Sequence, residues 1–200
     1  VFGGTGGQFG AGGRFGNSSF GTVIKSADAG TATIGAYVVG NGHWRVDAGT
    51  LSLSGGGEGT VMNVDAGAGT LEFHAGTFDM AALTAAPGTT VAFTGGTTSF
   101  SGAYTADVTN VSGGTLTTAV NFNAPAATST TAVLNLSGGS VGGGANGTGP
   151  GLVVNGAQPS SWTGGTIAGS VQLIGNTVLE KSGSGTGTVS DGGLLFNFGT

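Results

Sequence analysis

The 200-residue chain has no cysteine, four prolines and only four lysines and arginines. Each shortage excludes something. Without cysteine, neither disulfides nor thiolate metal centres hold the fold. Four prolines, with no glycine at every third position, exclude collagen. Arg14, Lys25, Arg45 and Lys181 are scattered, whereas nucleic acid is held by clustered basic side chains, so no nucleic-acid partner is expected. Charged residues of both signs make up 6% of the chain, about a quarter of the ordinary share. No apolar run of about 18 residues could span a bilayer, and no basic start leads into an apolar stretch like that of a signal peptide. With its closing "GLLFNFGT", the chain reads as a processed product or a piece of something longer. Helical periodicity is missing too: apolar residues do not recur at i, i+3, i+4 and i+7, and each glycine in a helix costs roughly 1 kcal/mol relative to alanine.

What is present is glycine, 46 residues of it, beside 38% hydrophobic residues. That apolar content is enough to build a core, so disorder is not expected. Strands and turns remain, and they repeat. "VDAGTLSL" at 46–53 returns as "VDAGAGTLEF" at 64–73, and "ADAGTATI" precedes both at 27–34. The acids Asp28, Asp47 and Asp65 stand 19 and then 18 residues apart, and "AAPGTTVAF" at 85–93 continues the spacing with Pro87-Gly88 as the turn. A second phrase, Gly-Gly-Thr or Gly-Gly-Ser before an apolar residue, begins at Gly95, Gly113, Gly138 and Gly164. Between these turns lie short runs such as "TLSL", "TVMNV" and "AVLNL" that alternate apolar with polar or small residues, the mark of strands with one buried face.

Units of this size that cannot bury their own apolar face do so by stacking. The expected fold is all-β, a right-handed parallel β-helix (β-solenoid) with coils of about 18–26 residues. Leu51 and Leu53 should then face inward over the next coil. The alternative is an antiparallel β-sandwich, favoured by hairpin-type Asn-Gly pairs at 41–42, 146–147 and 155–156. The Gly/Phe-rich segment 1–21, with Phe2, Phe9, Phe15 and Phe20, reads as an N-terminal cap or first irregular coil with its phenylalanines inward. Residues 22–200 form the solenoid, with loops near 123–131 and 142–151.

Few residues promise chemistry. "GGSVG" at 138–142 fits a nucleophile elbow and "GGGANG" at 142–147 a dinucleotide loop, but neither is followed by the helix those motifs need. His43 and His74 read as strand or strand-edge residues, so no catalytic residue and no cofactor is expected. Asp28, Asp47 and Asp65, stacked, are the candidates for a weak Ca²⁺ site; as turn formers bonding nearby backbone N–H groups they have a simpler role, which the sequence favours. The pairs Thr31/Thr33, Thr115/Thr117, Thr128/Thr130 and Thr186/Thr188 are unevenly placed, so β-propensity explains them better than an ice-binding ladder. The sequons at Asn17, Asn110, Asn135 and Asn146 matter only in a eukaryotic secretory setting.

The stretch "SWTGGTIAGS" at 161–170, followed by "VQLIGNTVLEKSGSGTGTVSDGGLLFNFGT", resembles repeats of large secreted bacterial β-helix surface proteins of the autotransporter-passenger and filamentous-haemagglutinin-like kind. The likeness lies in the order of Trp-Thr-Gly-Gly-Thr-Ile, apolar strand, glycine corner and further strand. It implies a secreted or cell-surface bacterial protein, non-enzymatic, structural or adhesive, with cell-surface glycans among its partners. A solenoid without a polar cap also leaves open strand edges, so copies of itself are expected partners in a filament or fibre. The association ends would be Phe2 and Phe9 at one end and Leu194, Leu195, Phe196 and Phe198 at the other. The alternatives are a polysaccharide-binding or polysaccharide-cleaving β-helix module and an ice-binding β-solenoid.

Overall fold

The computed structural model describes residues 8–26, 28–118, 129–143, 151–190 and 194–197. Among them there is no helix, and every strand pairs in parallel with its neighbours. Each turn of the chain lays down three short strands on three sides, called here I, II and III. One turn is Thr50–Leu53, Gly57–Glu58 and Val61–Asp65; the next is Thr70–Phe73, Thr77–Met80 and Ala82–Ala85. Side II is a sheet of nine strands. Sides I and III join into one 16-stranded sheet because Tyr104–Val111 and Thr130–Leu136 run round the corner from III to I without a break. The fold is thus a parallel β-solenoid of about eight turns. The sandwich alternative fails because its hairpins require antiparallel pairs; Asn41-Gly42 lies instead at the corner between Tyr37–Val39 and His43–Val46.

Strand register fixes the coil length. On side I, Thr31, Thr50, Thr70, Thr90, Val108 and Val133 lie over one another, giving steps of 19, 20, 20, 18 and 25 residues. Asn135 then stands over Ser161, a step of 26. Segments 119–128 and 144–150, which take in most of the two expected loops, lie outside the described residues. The coil lengthens there while the strands on either side keep their partners.

Alternation along each strand points every second side chain into the tube. Leu51 lies over Leu71 and Leu53 over Phe73, so the two leucines of "VDAGTLSL" are core residues. Phe73 stacks on Phe93 with centroids 5.2 Å apart and planes 8° from parallel. Phe78 and Phe100, arriving from side II, meet this stack edge-on. Each fully buried phenylalanine contributes about 1.5–3 kcal/mol. Tyr104 completes the cluster, and its hydroxyl meets Thr109 Oγ1 at 2.7 Å, with burial pushing the phenol well above its ordinary range. Thr109 donates in turn to Thr131 Oγ1 at 2.9 Å, so these three hydroxyls satisfy one another inside the tube.

Within segment 1–21, Gln8–Phe9 and Arg14–Gly16 are strands of the first coil, pairing with Thr31–Ile34 and Tyr37–Val39. Its phenylalanines do not all turn inward as expected: Phe15 packs on the core beside Trp44, whereas Phe20 is fully exposed because Ser18–Gly21 closes a tight turn.

The Gly-Gly-Thr phrase is the corner from side I to side II. At Gly95 an added Cβ would meet the His74 carbonyl oxygen at 2.2 Å, and Gly96 adopts φ 67° with its own Cβ position 2.3 Å from the Gly76 oxygen. The first glycine is required by the close pass of the coil beneath, and the second by that pass and by its left-handed backbone. Gly88 shares the positive φ, at 84°, but nothing lies within 4 Å of its added Cβ.

Two outcomes are expected from urea denaturation. Phe93→Ala should cost about 3–5 kcal/mol through loss of the stacked ring. Gly88→Ala should cost only the left-handed strain of about 1–2 kcal/mol, and Gly96→Ala distinctly more; equal losses would show that close approach does not matter at this corner.

Candidate functional site

Among the described residues the inward side chains pack into one core, and the outer surfaces of the three sides differ. Side III and its corner towards side I carry most of the charge in the first coils. Lys25 occupies an inward position in register with Val46 and is wholly buried. Its Nζ donates to Asp28 Oδ1 at 3.0 Å and to the Asp28 carbonyl at 3.2 Å. Asp28 itself adopts φ 51° and accepts the Gly30 N–H at 2.9 Å. The Lys25 hydrogen bond, followed by that of Gly30, holds the Asp28 carboxyl below its ordinary 3.8.

The three acids do not form one ladder. Asp47 accepts both Arg45 Nε and Arg45 Nη2, and this pairing keeps the guanidinium protonated to higher pH than usual. Asp65 stands in register with Arg45, not with Asp47, and its Oδ1 lies 2.9 Å from His43 Nδ1. The two extra residues in "DAGAG" account for the offset. Each of these three carboxylates thus has its own nitrogen partner, in Lys25, Arg45 and His43, and no group of three or more His, Cys, Asp or Glu gathers as metal ligands among the described residues.

Side I places Glu72, His74 and Thr94 together: Thr94 Oγ1 donates to Glu72 Oε1 at 2.8 Å and lies 3.0 Å from His74 Nδ1. The hydrogen bonds of this trio tie two coils. Farther along, Asn135 donates to Asn110 at 2.9 Å and Ser161 to Asn135 at 2.8 Å, an amide ladder outside the tube.

Side II is different again. Its outward column from Thr77 runs through Thr97, Thr115, Ser140, Thr166 and Thr188, each in register with the next. Two residues along the strand, Ser99 and Thr117 form part of a second column. The Thr-x-Thr pairs of the sequence do not stack on one another, since Thr31 and Thr33 lie on side I and Thr115 and Thr117 on side II. The side II column is assembled instead from one hydroxyl per coil, across coil lengths of 20, 18, 25, 26 and 22 residues. Side I starts a similar column at Thr31, but it gives way to Val108, and Glu72 interrupts its second column. Where Gly142 and Ala168 leave room on side II, a groove of about 250 Å³ is lined by Thr115, Thr117 and Ser140.

Of the expected association residues, Leu195 is described and exposed. Phe2 and Phe198 lie outside the described residues, as do the side chains of Phe9, Leu194 and Phe196. No helix of the described chain is long and apolar enough to cross a membrane.

Compared with protein-family models, curated proteins and solved structures, the chain gives no match. What defines it is its architecture, that of a parallel β-solenoid.

The Lys25–Asp28 pair makes stability depend on pH. Because the folded-state carboxyl titrates below its unfolded value, its contribution is complete above about pH 4 and is lost as pH falls further. Asp28→Asn should therefore show a smaller drop in melting temperature than the parent chain between about pH 6 and pH 2.5; equal drops would remove Asp28 from the acid response.

Proposed function

We propose that the chain is a non-enzymatic structural or adhesive module of a secreted bacterial surface fibre or matrix, associating with copies of itself coil on coil. The observation that carries this reading is the coil made by Leu179–Lys181, Gly187–Val189 and Leu194–Asn197. Among the described residues each of these strands has a partner on one side only. Val189 and Leu195 take the inward positions that Ile167 and Val171 hold in the coil beneath. They are 44% and 40% exposed, whereas Ile167 and Val171 are 1% and 0%. Among the described residues, uncovered apolar side chains beside strands paired on one side are a template for a further coil.

A stiff tube of in-register coils suits this role, since it sets distance and presents three chemically distinct surfaces. Cell-surface glycans are the partners that the amide ladder of Asn110 and Asn135 would suit best, by hydrogen bonding. The polysaccharide-cleaving alternative draws little support, because Asp28, Asp47 and Asp65 are each engaged by a separate side chain, Lys25, Arg45 and His43, and do not face one another as a pair.

Light scattering of the purified chain across a concentration series, with negative-stain electron microscopy, tests self-association. The expected outcome is a mass that rises with concentration and fibres of uniform width, both suppressed by Leu195→Lys. A chain that remains monomeric throughout, or fibres that are indifferent to Leu195→Lys, would rule out assembly through this coil.

A further inference from the structure

Side II carries hydroxyls in two dimensions. Neighbouring strands of a sheet lie about 4.8 Å apart, and alternate residues along one strand about 6.6 Å apart. The column from Thr77 to Thr188 and the second column at Ser99 and Thr117 therefore occupy a nearly rectangular grid. Threonine suits such a grid because its branched Cβ restricts χ1, and the sheet already fixes its backbone. Little ordering entropy remains to be lost when the face meets a rigid partner.

Two further observations narrow the partner. The strands Thr97–Phe100, Thr115–Thr118, Ser140–Gly143, Gly165–Ile167 and Gly187–Val189 contain no charged residue, and their one aromatic, Phe100, points into the core. The nearest acids, Asp79 and then Glu58, lie in the second column before Ser99, whose Oγ donates to Asp79 at 2.7 Å. An ionic surface would need charges on these five strands. A sugar chain would need aromatic platforms to stack on; none faces outward on these strands, and Tyr37, two coils before Thr77 in the first column, is covered by the Arg14 guanidinium. The second observation is the groove of about 250 Å³ within the array. At about 30 Å³ of liquid volume per molecule it has room for several waters, with the hydroxyls of Thr115, Thr117 and Ser140 to bond them and apolar walls from Leu116 and Ala168. The partner that is uncharged, rigid and repeats its hydrogen-bonding oxygens on a rectangular grid near these two spacings is the prism face of ordinary ice.

We propose that side II binds ice, through the hydroxyl columns of Thr97, Thr115, Ser140, Thr166 and Thr188. Water held in register on these hydroxyls and in the groove joins the lattice of the crystal, and growth continues only between bound molecules. This activity is independent of the self-association described above and needs no second copy.

The test is thermal hysteresis, the gap between melting and freezing points, measured together with the shape of ice crystals grown in solutions of the purified chain. The expected result is a measurable gap and faceted crystals for the parent chain. Thr97→Lys and Thr166→Lys should each lose the gap while keeping the parent circular dichroism spectrum and melting temperature. Thr84→Lys, on the exposed outer surface of side III, should retain it. The proposal is overturned by round crystals without hysteresis from the parent chain, or by full hysteresis in a folded Thr97→Lys variant. It is equally overturned if the parent shows no hysteresis but is retained on microcrystalline cellulose in a Thr97-dependent way, which would assign the face to a polysaccharide.

Discussion

Every coil must lie over the one before it, residue for residue, and the rest of the structure depends on that constraint. A single turn of three short strands has no backbone partner and no cover for its inward side chains. Both come from the next turn, about 4.8 Å along the axis. Phe73 on Phe93 and Leu51 on Leu71 express it in the core. The glycine corners express it in the backbone: at Gly95 and Gly96 the chain passes so close to the coil beneath that a methyl group would meet a carbonyl oxygen. Loss of conformational freedom at so many glycines is a large cost. It is offset only because each corner lets two sheets stay in register.

Once the interior is fixed, the outside is free to vary. Inward positions carry chiefly Leu, Val, Ile, Phe and other apolar side chains, with Lys25 and a few hydroxyls among them, while outward positions on the same strands carry mostly small or polar residues. The three sides have used that freedom differently. Side III and its corner gather Lys25 with Asp28, His43 with Asp65 and Arg45 with Asp47 into pairs that bind neighbouring strands or close a corner. Side I holds an amide ladder, and side II, from Thr97–Phe100 onward, an array of hydroxyls with no charge among its strands. A solenoid of this kind presents repeated surfaces on which side chains of successive coils are evenly spaced.

Several features were legible from residue order. The recurrence of Asp-Ala-Gly and Gly-Gly-Thr located the corners, because a left-handed backbone or a close pass leaves glycine little competition. Alternation in "TLSL" and "TLEF" identified Leu51, Leu53, Leu71 and Phe73 as core. The hydroxyl columns were not legible, since Thr115, Ser140 and Thr166 are separated by unequal stretches of chain and become neighbours only through strand register. Asp65 was misplaced for the same reason. Two extra residues in a corner move it from the Asp47 position to that of Arg45, where His43 can reach it.

The sequence by itself therefore determined the strand type, the corners and the inward residues, because these follow from local backbone preference and from a period of two along each strand. Only the tertiary structure decided which residues from different coils share a surface. That outcome depends on how much chain each corner absorbs between fixed hydrogen-bonded partners, and a corner can absorb a variable length without disturbing the register on either side.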